Sequence, residues 1–263
     1  MKFFRTNGGV AHYADEGPRS APAIVFINSL GTDLRIWDEV AAPLARRWRA
    51  IRYDKRGHGL SSHPAAAAGI GDFAADLAGL IDNLKVGAAT IVGISIGGLI
   101  AQELYRSRRD LVASLVLCDT GCRIGNADFY NARADVVQSG GIETIADGVL
   151  ERWFTAGYRT NNPDMMAGWR AMLTRTPRDG YAAACRTVGQ PDFTEAAKSV
   201  AAPTTVIVGD EDGATPPELA RQLAGLIPGA RLEIVAGAGH LPCIERPEAM
   251  RALIEAHMKA VSP

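Results

Sequence analysis

The run Ile91-Val92-Gly93-Ile94-Ser95-Ile96-Gly97-Gly98 constrains this chain more than any other stretch. An apolar strand leads into Gly-x-Ser-x-Gly, and a helix from about Ile96 to Arg108 leads out of it. In that setting the serine occupies a sharp strand-to-helix turn, with its hydroxyl clear of the sheet edge. Gly93 and Gly97 fit because strand and helix close on each other there, where a side chain would collide. The helix aims free N–H groups and the positive end of its dipole at any oxygen held beside Ser95. A chance Gly-rich loop is the bland alternative, and the flanking strand and helix argue against it.

Such a turn needs a sheet to carry it, and the remaining periodicity supplies one. Short strands near 3–5 and 10–13, joined through Asn7-Gly8-Gly9, read as a hairpin. Further apolar runs follow at 23–27, 50–54, 88–94, 115–119, 205–209 and 231–235, and the first of them is apolar throughout, as in a strand buried on both faces. Helical stripes alternate with these runs. Leu34, Trp37, Val40, Ala41 and Leu44 mark a helix over 33–47, and Phe73, Leu77, Leu80, Ile81 and Leu84 mark the next. Leu219, Leu223, Leu226 and Ile227 form another stripe, and a last helix opens at Pro247 and carries Met250, Leu253 and Ile254. The alternation predicts an α/β fold with a doubly wound, mostly parallel sheet of eight strands. Between 121 and 189 the rhythm stops, leaving short helical stretches that include Trp153 and Trp169. We read 1–120 and 190–263 as the core, and 121–189 as a helical cap inserted over the sheet's carboxyl edge, where ligands of such sheets bind.

Bulk properties narrow the partners. Across 263 residues, 47% apolar and 22% charged residues give an ordinary globular composition. A net charge of -1 argues against nucleic acid or an anionic membrane, since both select basic surfaces. No apolar run reaches membrane-spanning length, and Met1–Thr6 lacks the features of a secretion signal, so a cytoplasmic protein is expected. Cys118, Cys122, Cys185 and Cys243 lack CxxC spacing and are expected as free thiols. No metal or dinucleotide cofactor is expected, because no ligand cluster and no Gly-x-Gly-x-x-Gly helix opening is present. A monomer or small homo-oligomer fits this reading.

A serine hydroxyl needs an adjacent base, itself oriented by a third group. His240 lies in the small-residue loop Gly237-Ala238-Gly239-His240-Leu241-Pro242 and follows the serine in the order such folds use. His58, between two glycines, reads as a residue that shapes its turn, and His257 as a structural residue of the last helix. Three carboxylates compete for the third role. Asp212 is preferred, because Gly213-Ala214-Thr215-Pro216 turns the chain back over the sheet edge. Asp210 and Asp119 are the alternatives, and helix capping is the bland reading of each. An oxyanion requires two backbone N–H donors, for which Ile96 and Leu30 are the candidates. Asn28 and Ser29 are possible side-chain helpers, with loop capping as their alternative role.

Asp54-Lys55-Arg56-Gly57-His58-Gly59-Leu60-Ser61, the Gly93–Gly98 turn, Gly209-x-x-Asp212 and Gly239-His240 together resemble the α/β-hydrolase superfamily. More narrowly, Asn28-Ser29-Leu30-Gly31-Thr32, Glu151-Arg152-Trp153-Phe154-Thr155 and Ala214-Thr215-Pro216-Pro217 resemble the 3-oxoadipate enol-lactonases. That resemblance implies a hydrolase of bacterial aromatic-acid breakdown, with a small lactone or ester substrate that carries a carboxylate. It also implies Arg133 as the residue that meets this carboxylate, since Arg offers a planar fork to it. Trp153 is a candidate wall of the binding site, and a core residue of the cap on the other reading. A carboxylesterase or cofactor-free perhydrolase of the same fold is the alternative, and a ligand receptor with little turnover is the alternative from outside enzymes.

Overall fold

The computed structural model describes residues 1–6, 9–63 and 69–261, so the Asn7-Gly8 pair of the expected hairpin turn lies outside the described residues. Eight strands form one sheet: β1 (Lys2–Thr6), β2 (Gly9–Glu16), β3 (Ala23–Ile27), β4 (Arg49–Tyr53), β5 (Ala89–Ile94), β6 (Val112–Cys118), β7 (Thr204–Gly209) and β8 (Arg231–Val235). Their spatial order is β1-β2-β4-β3-β5-β6-β7-β8. The first two pairings, β1 with β2 and β2 with β4, are antiparallel, and every other pairing is parallel. Every residue of β3, β4, β5 and β7 is buried, and the two arginines of β4 are ion-paired there, Arg49 with Asp15 and Arg52 with Glu16 and Asp38. β8 exposes Arg231 and Ile234, which fits a strand at the sheet's edge.

The helices are α1 (Asp38–Leu44), α2 (Ile70–Asn83), α3 (Ile96–Ser107), α4 (Ala127–Gly140), α5 (Glu143–Trp153), α6 (Ala156–Asn161), α7 (Pro163–Thr174), α8 (Arg178–Val188), α9 (Thr194–Ala197), α10 (Pro217–Leu226), α11 (Pro242–Glu245) and α12 (Pro247–Val261). One boundary differs from the periodicity. Where a helix over 33–47 is expected, a 3₁₀ turn at Leu34–Trp37 precedes the short α1. Asp33 caps the turn through Arg35 N–H, and Pro43 inside α1 lacks the donor a longer helix would use. The apolar stripe is unaffected, and Leu34, Trp37, Val40, Ala41 and Leu44 are all buried.

Helices α4 to α9 all fall between β6 and β7. They lie on loops at the carboxyl ends of the strands. A Cβ built on Gly31, in the loop after β3, would meet Leu173 Cδ1 at 2.6 Å and Tyr181 Cε2 at 2.9 Å. The backbone of Gly180 is equally close to Gly57, in the loop after β4.

His257 shows how the last helix is fastened. Its Nδ1 lies 2.8 Å from Thr205 Oγ1 and its Nε2 2.9 Å from Ser114 Oγ, so one ring ties α12 to β7 and β6. Burial, and then the charge of Arg231, lower its pKa from 6.5 to about 4. The folded state therefore favours the neutral ring, and the unfolded chain binds the extra proton as pH falls through that interval. Lowering pH from 7 to 4 is expected to cost wild type about 3 kcal/mol more stability than His257→Asn, as read from urea denaturation at each pH. Equal pH dependence of the two proteins would sink this account.

All four cysteines are free and buried. Burial pushes the Cys243 thiol well above its ordinary range, which disfavours the thiolate a cysteine nucleophile needs.

Candidate active site

Ser95 sits between the end of β5 and the start of α3 with φ 59° and ψ −122°, a conformation that non-glycine residues rarely adopt. The surroundings hold it there. Its N–H donates to the Cys118 carbonyl at 3.0 Å, and its own carbonyl accepts from Thr120 Oγ1 at 2.9 Å. A Cβ on Gly93 would overlap the Gly97 carbonyl, and one on Gly97 would stand 2.6 Å from the Ile27 carbonyl oxygen. Both glycines are therefore fixed by close approach of backbone. Ile96 is the first residue of α3, where N–H groups have no partner within the helix.

His240 is 2% exposed, in the loop between β8 and α11. Its Nδ1 lies 2.9 Å from Asp212 Oδ2 and 3.1 Å from Oδ1. A carboxylate on that nitrogen fixes the proton at Nδ1 and leaves Nε2 with its lone pair. Nε2 stands 3.5 Å from Ser29 Oγ. Asp212 also accepts from Ala214 N–H at 2.8 Å, Thr215 N–H at 2.9 Å and Thr215 Oγ1 at 2.6 Å. Burial alone would raise its pKa, but His240 and the Thr215 donors outweigh burial and hold it below the usual carboxylate value.

The two other carboxylates do not meet His240 in this way. Asp210 is exposed, and among the described residues its side chain accepts only a 3.3 Å bond from Ala238 N–H. Asp119 is fully buried, and its Oδ1 accepts from Gly209 N–H at 2.9 Å while its Oδ2 has no partner among the described residues. Burial, and then the Asp212 charge, push the Asp119 carboxyl well above the ordinary range. Asp119, Asp212 and His240 bring one donor atom each within 4.8 Å of one another. The facing atoms of Asp212 and His240 are already engaged with each other and with Thr215, which leaves a cation little to coordinate.

The candidate oxyanion loop, residues 28–32, is held from several sides. Gly31 N–H donates to His58 Nε2 at 3.0 Å, and the His58 Nδ1 proton goes to the Arg56 carbonyl at 3.1 Å. Burial and the nearby Lys55 depress the pKa of His58 well below the histidine range, which matches its role as acceptor. Asn28 Nδ2 donates to the Thr32 carbonyl across the loop. Leu30 N–H bonds to no described residue.

Arg133, on α4, is half-buried. It donates to the Tyr181 hydroxyl and lies 5.5 Å over that ring, while its buried Nε has no partner among the described residues. No carboxylate among them comes within ion-pair range of it. Trp153 is 5% exposed, with Cη2 3.5 Å from a Cβ built on Gly31, so it is both a buried residue of the insertion and a neighbour of the oxyanion loop. Thr215 and Tyr181 carry no signal in the sequence beyond residue type. Glu245, which accepts from Gly239 N–H and Thr155 and so ties the His240 loop to the insertion, is equally silent.

A mostly parallel eight-stranded sheet that breaks at its central strand into a strained serine turn is the α/β-hydrolase fold. The chain belongs to the alpha/beta hydrolase family, which it matches over residues 24–253. It is 33% identical over 248 residues to 3-oxoadipate enol-lactonase 2 of Acinetobacter baylyi, spanning 94% of this chain and 92% of that protein. Among solved structures, the enol-lactonase of Burkholderia xenovorans LB400 superposes with a TM-score of 0.95 at 36% identity, covering 98% of this chain and all of that one (100%). A thermophilic esterase of Thermogutta terrifontis superposes with a TM-score of 0.94 at 28% identity, covering 100% of both chains.

Proposed function

We propose that the protein is a serine hydrolase that opens 3-oxoadipate enol-lactone to 3-oxoadipate, acting in the cytoplasm in the breakdown of aromatic compounds. Residues 121–189 serve as the cap over its site. Ser95 Oγ attacks the lactone carbonyl carbon while His240 Nε2 takes its proton, and Asp212 balances the imidazolium. The oxyanion is received by the N–H groups of Ile96 and Leu30. Collapse breaks the ring C–O bond, and the enol oxygen leaves while still tethered to the acyl chain. It takes the proton from His240 as an enol, which tautomerises to the ketone by giving up its O–H proton and gaining one on carbon. Water, deprotonated by His240, then cleaves the ester to Ser95 and releases the second carboxylate. An enol is a better leaving group than an alkoxide, so ring opening demands less from the acid than ordinary ester cleavage does.

The observation that carries the substrate class is Arg133, a half-buried guanidinium with a free Nε and no carboxylate within ion-pair range among the described residues. Tyr181 links it to the oxyanion loop, which fits a substrate carboxylate held a few bonds from the reacting carbonyl. Trp153 and Ser29 complete the wall on that side. The test is hydrolysis of freshly generated enol-lactone beside a short nitrophenyl ester. Arg133→Ala is expected to lower kcat/KM for the lactone by about 30–100-fold, chiefly through KM, and to leave the neutral ester within about threefold. Ester turnover without lactone turnover in wild type would favour the carboxylesterase reading, to which the 28% identical esterase lends support. Turnover of neither would favour a receptor.

A further inference from the structure

Lys55 is fully buried, one of the largest side chains in the interior to be so. No carboxylate among the described residues comes within ion-pair distance of it, and its ammonium has one hydrogen-bond partner among them, the Ser29 carbonyl. A buried cation held this way is costly unless its one contact matters. Burial drives its pKa down, and the charges of Asp54 and Asp33 act in the opposite sense.

The partner it has chosen is half of one peptide group. The other half is Leu30 N–H. The chain contains no cis peptide among its described residues, so the Ser29 C=O and the Leu30 N–H point in opposite directions. Thr32 Oγ1, at 2.9 Å, and Thr32 N–H, at 3.3 Å, reach the same carbonyl, so three donors gather at one end of the peptide. The next amide, Gly31 N–H, is committed to His58 and cannot serve an oxyanion. Only the Leu30 end of this pinned peptide is left free among the described residues.

We infer that Lys55 is a positioning residue for the oxyanion hole, holding the Ser29–Leu30 peptide by its carbonyl so that Leu30 N–H faces the reacting oxygen, and polarising that N–H through the peptide. Donors on a carbonyl strengthen the hydrogen bond that the same peptide gives from its N–H. The inference rests on Ser95 being the nucleophile, and its effect belongs to the transition state, where charge reaches the oxygen.

The test uses Lys55→Met with a nitrophenyl acetate assay, an aryl trifluoromethyl ketone that adds to Ser95 as a tetrahedral oxyanion, and adipate as a competitive ligand that forms no oxyanion. Lys55→Met is expected to lower kcat about 30-fold and weaken the ketone by a similar factor, with KM and adipate inhibition within about twofold. A folded variant with wild-type kcat and ketone affinity overturns the inference, and so does one in which adipate weakens as much as the ketone. Should the charge deletion unfold the chain, Thr32→Val removes a neutral donor from the same carbonyl. It is expected to weaken the ketone about threefold with adipate unchanged, and an unchanged ketone overturns the inference. Wild type that neither turns over the ester nor binds the ketone would overturn the Ser95 reading itself, and this inference with it.

Discussion

Replacing Ser95 by alanine is expected to lower kcat on the proposed enol-lactone substrate by about a millionfold, to the level that the proposed oxyanion donors and substrate binding sustain alone. KM should change little, because the hydroxyl contributes to bond making and hardly to ground-state binding. Glycine at the same position should be equally inactive, yet the two variants should differ in stability. Ser95 holds φ 59°, where a Cβ is strained and its absence is not. Ser95→Gly is therefore expected to exceed Ser95→Ala in unfolding free energy by about 1 kcal/mol, measured by urea denaturation. A retained burst of nitrophenol in either variant would show that the acyl group goes elsewhere. Stability that is the same in both would mean that the turn is unstrained.

The second large effect is expected from Asp212→Asn, about 10⁴-fold in kcat with a folded protein. The carboxylate now accepts from the His240 ring at 2.9 Å and from three further donors on Ala214 and Thr215. An amide in its place directs an N–H at Nδ1, so that nitrogen must accept and the ring proton moves to Nε2. Nε2, the nitrogen proposed to take the Ser95 proton, is then already protonated. Asp119→Asn tests the competing arrangement, in which the acid comes from the end of β6. Because Asp119 gives no hydrogen bond to His240 and its buried carboxyl is pushed toward the neutral form, its amide should cost less than about tenfold. The reverse ranking of the two variants would move the acid to Asp119.

Local signals made much of this protein legible in its sequence. The glycines at 93 and 97, the buried strand at 23–27 and the helical stripes depend on neighbours within a few residues, and sterics and periodicity read them directly. The apolar stripe predicts one helix over 33–47 because it continues through both the 3₁₀ turn capped by Asp33 and the short α1 containing Pro43, which set the backbone without disturbing the apolar spacing. Arg133 and Trp153 are singled out by resemblance alone, and their contacts with Tyr181 and around Gly31 depend on the tertiary structure.

Local sequence ranks Asp212 above Asp210 and Asp119 as the partner of the histidine without excluding either, since all three end or follow strands. Strand order decided it. With β5, β6, β7 and β8 side by side, their carboxyl-end loops bring Ser95, Asp119, Asp212 and His240 to one edge, and the turn at 213–216 then faces Asp212 inward and leaves Asp210 exposed. The same geometry joined loops that lie far apart in the chain. β3 and β4 are parallel neighbours, so the loop at 28–32 meets the loop after Tyr53, and Lys55 and His58 close on Ser29 and Gly31. By itself the sequence determined the fold and the serine turn and pointed to His240, because each signal is written in contiguous residues. The contact that singles out Asp212, and the bonds of Lys55 and His58 to the candidate oxyanion loop, come from tertiary structure, because they depend on which strands lie next to each other.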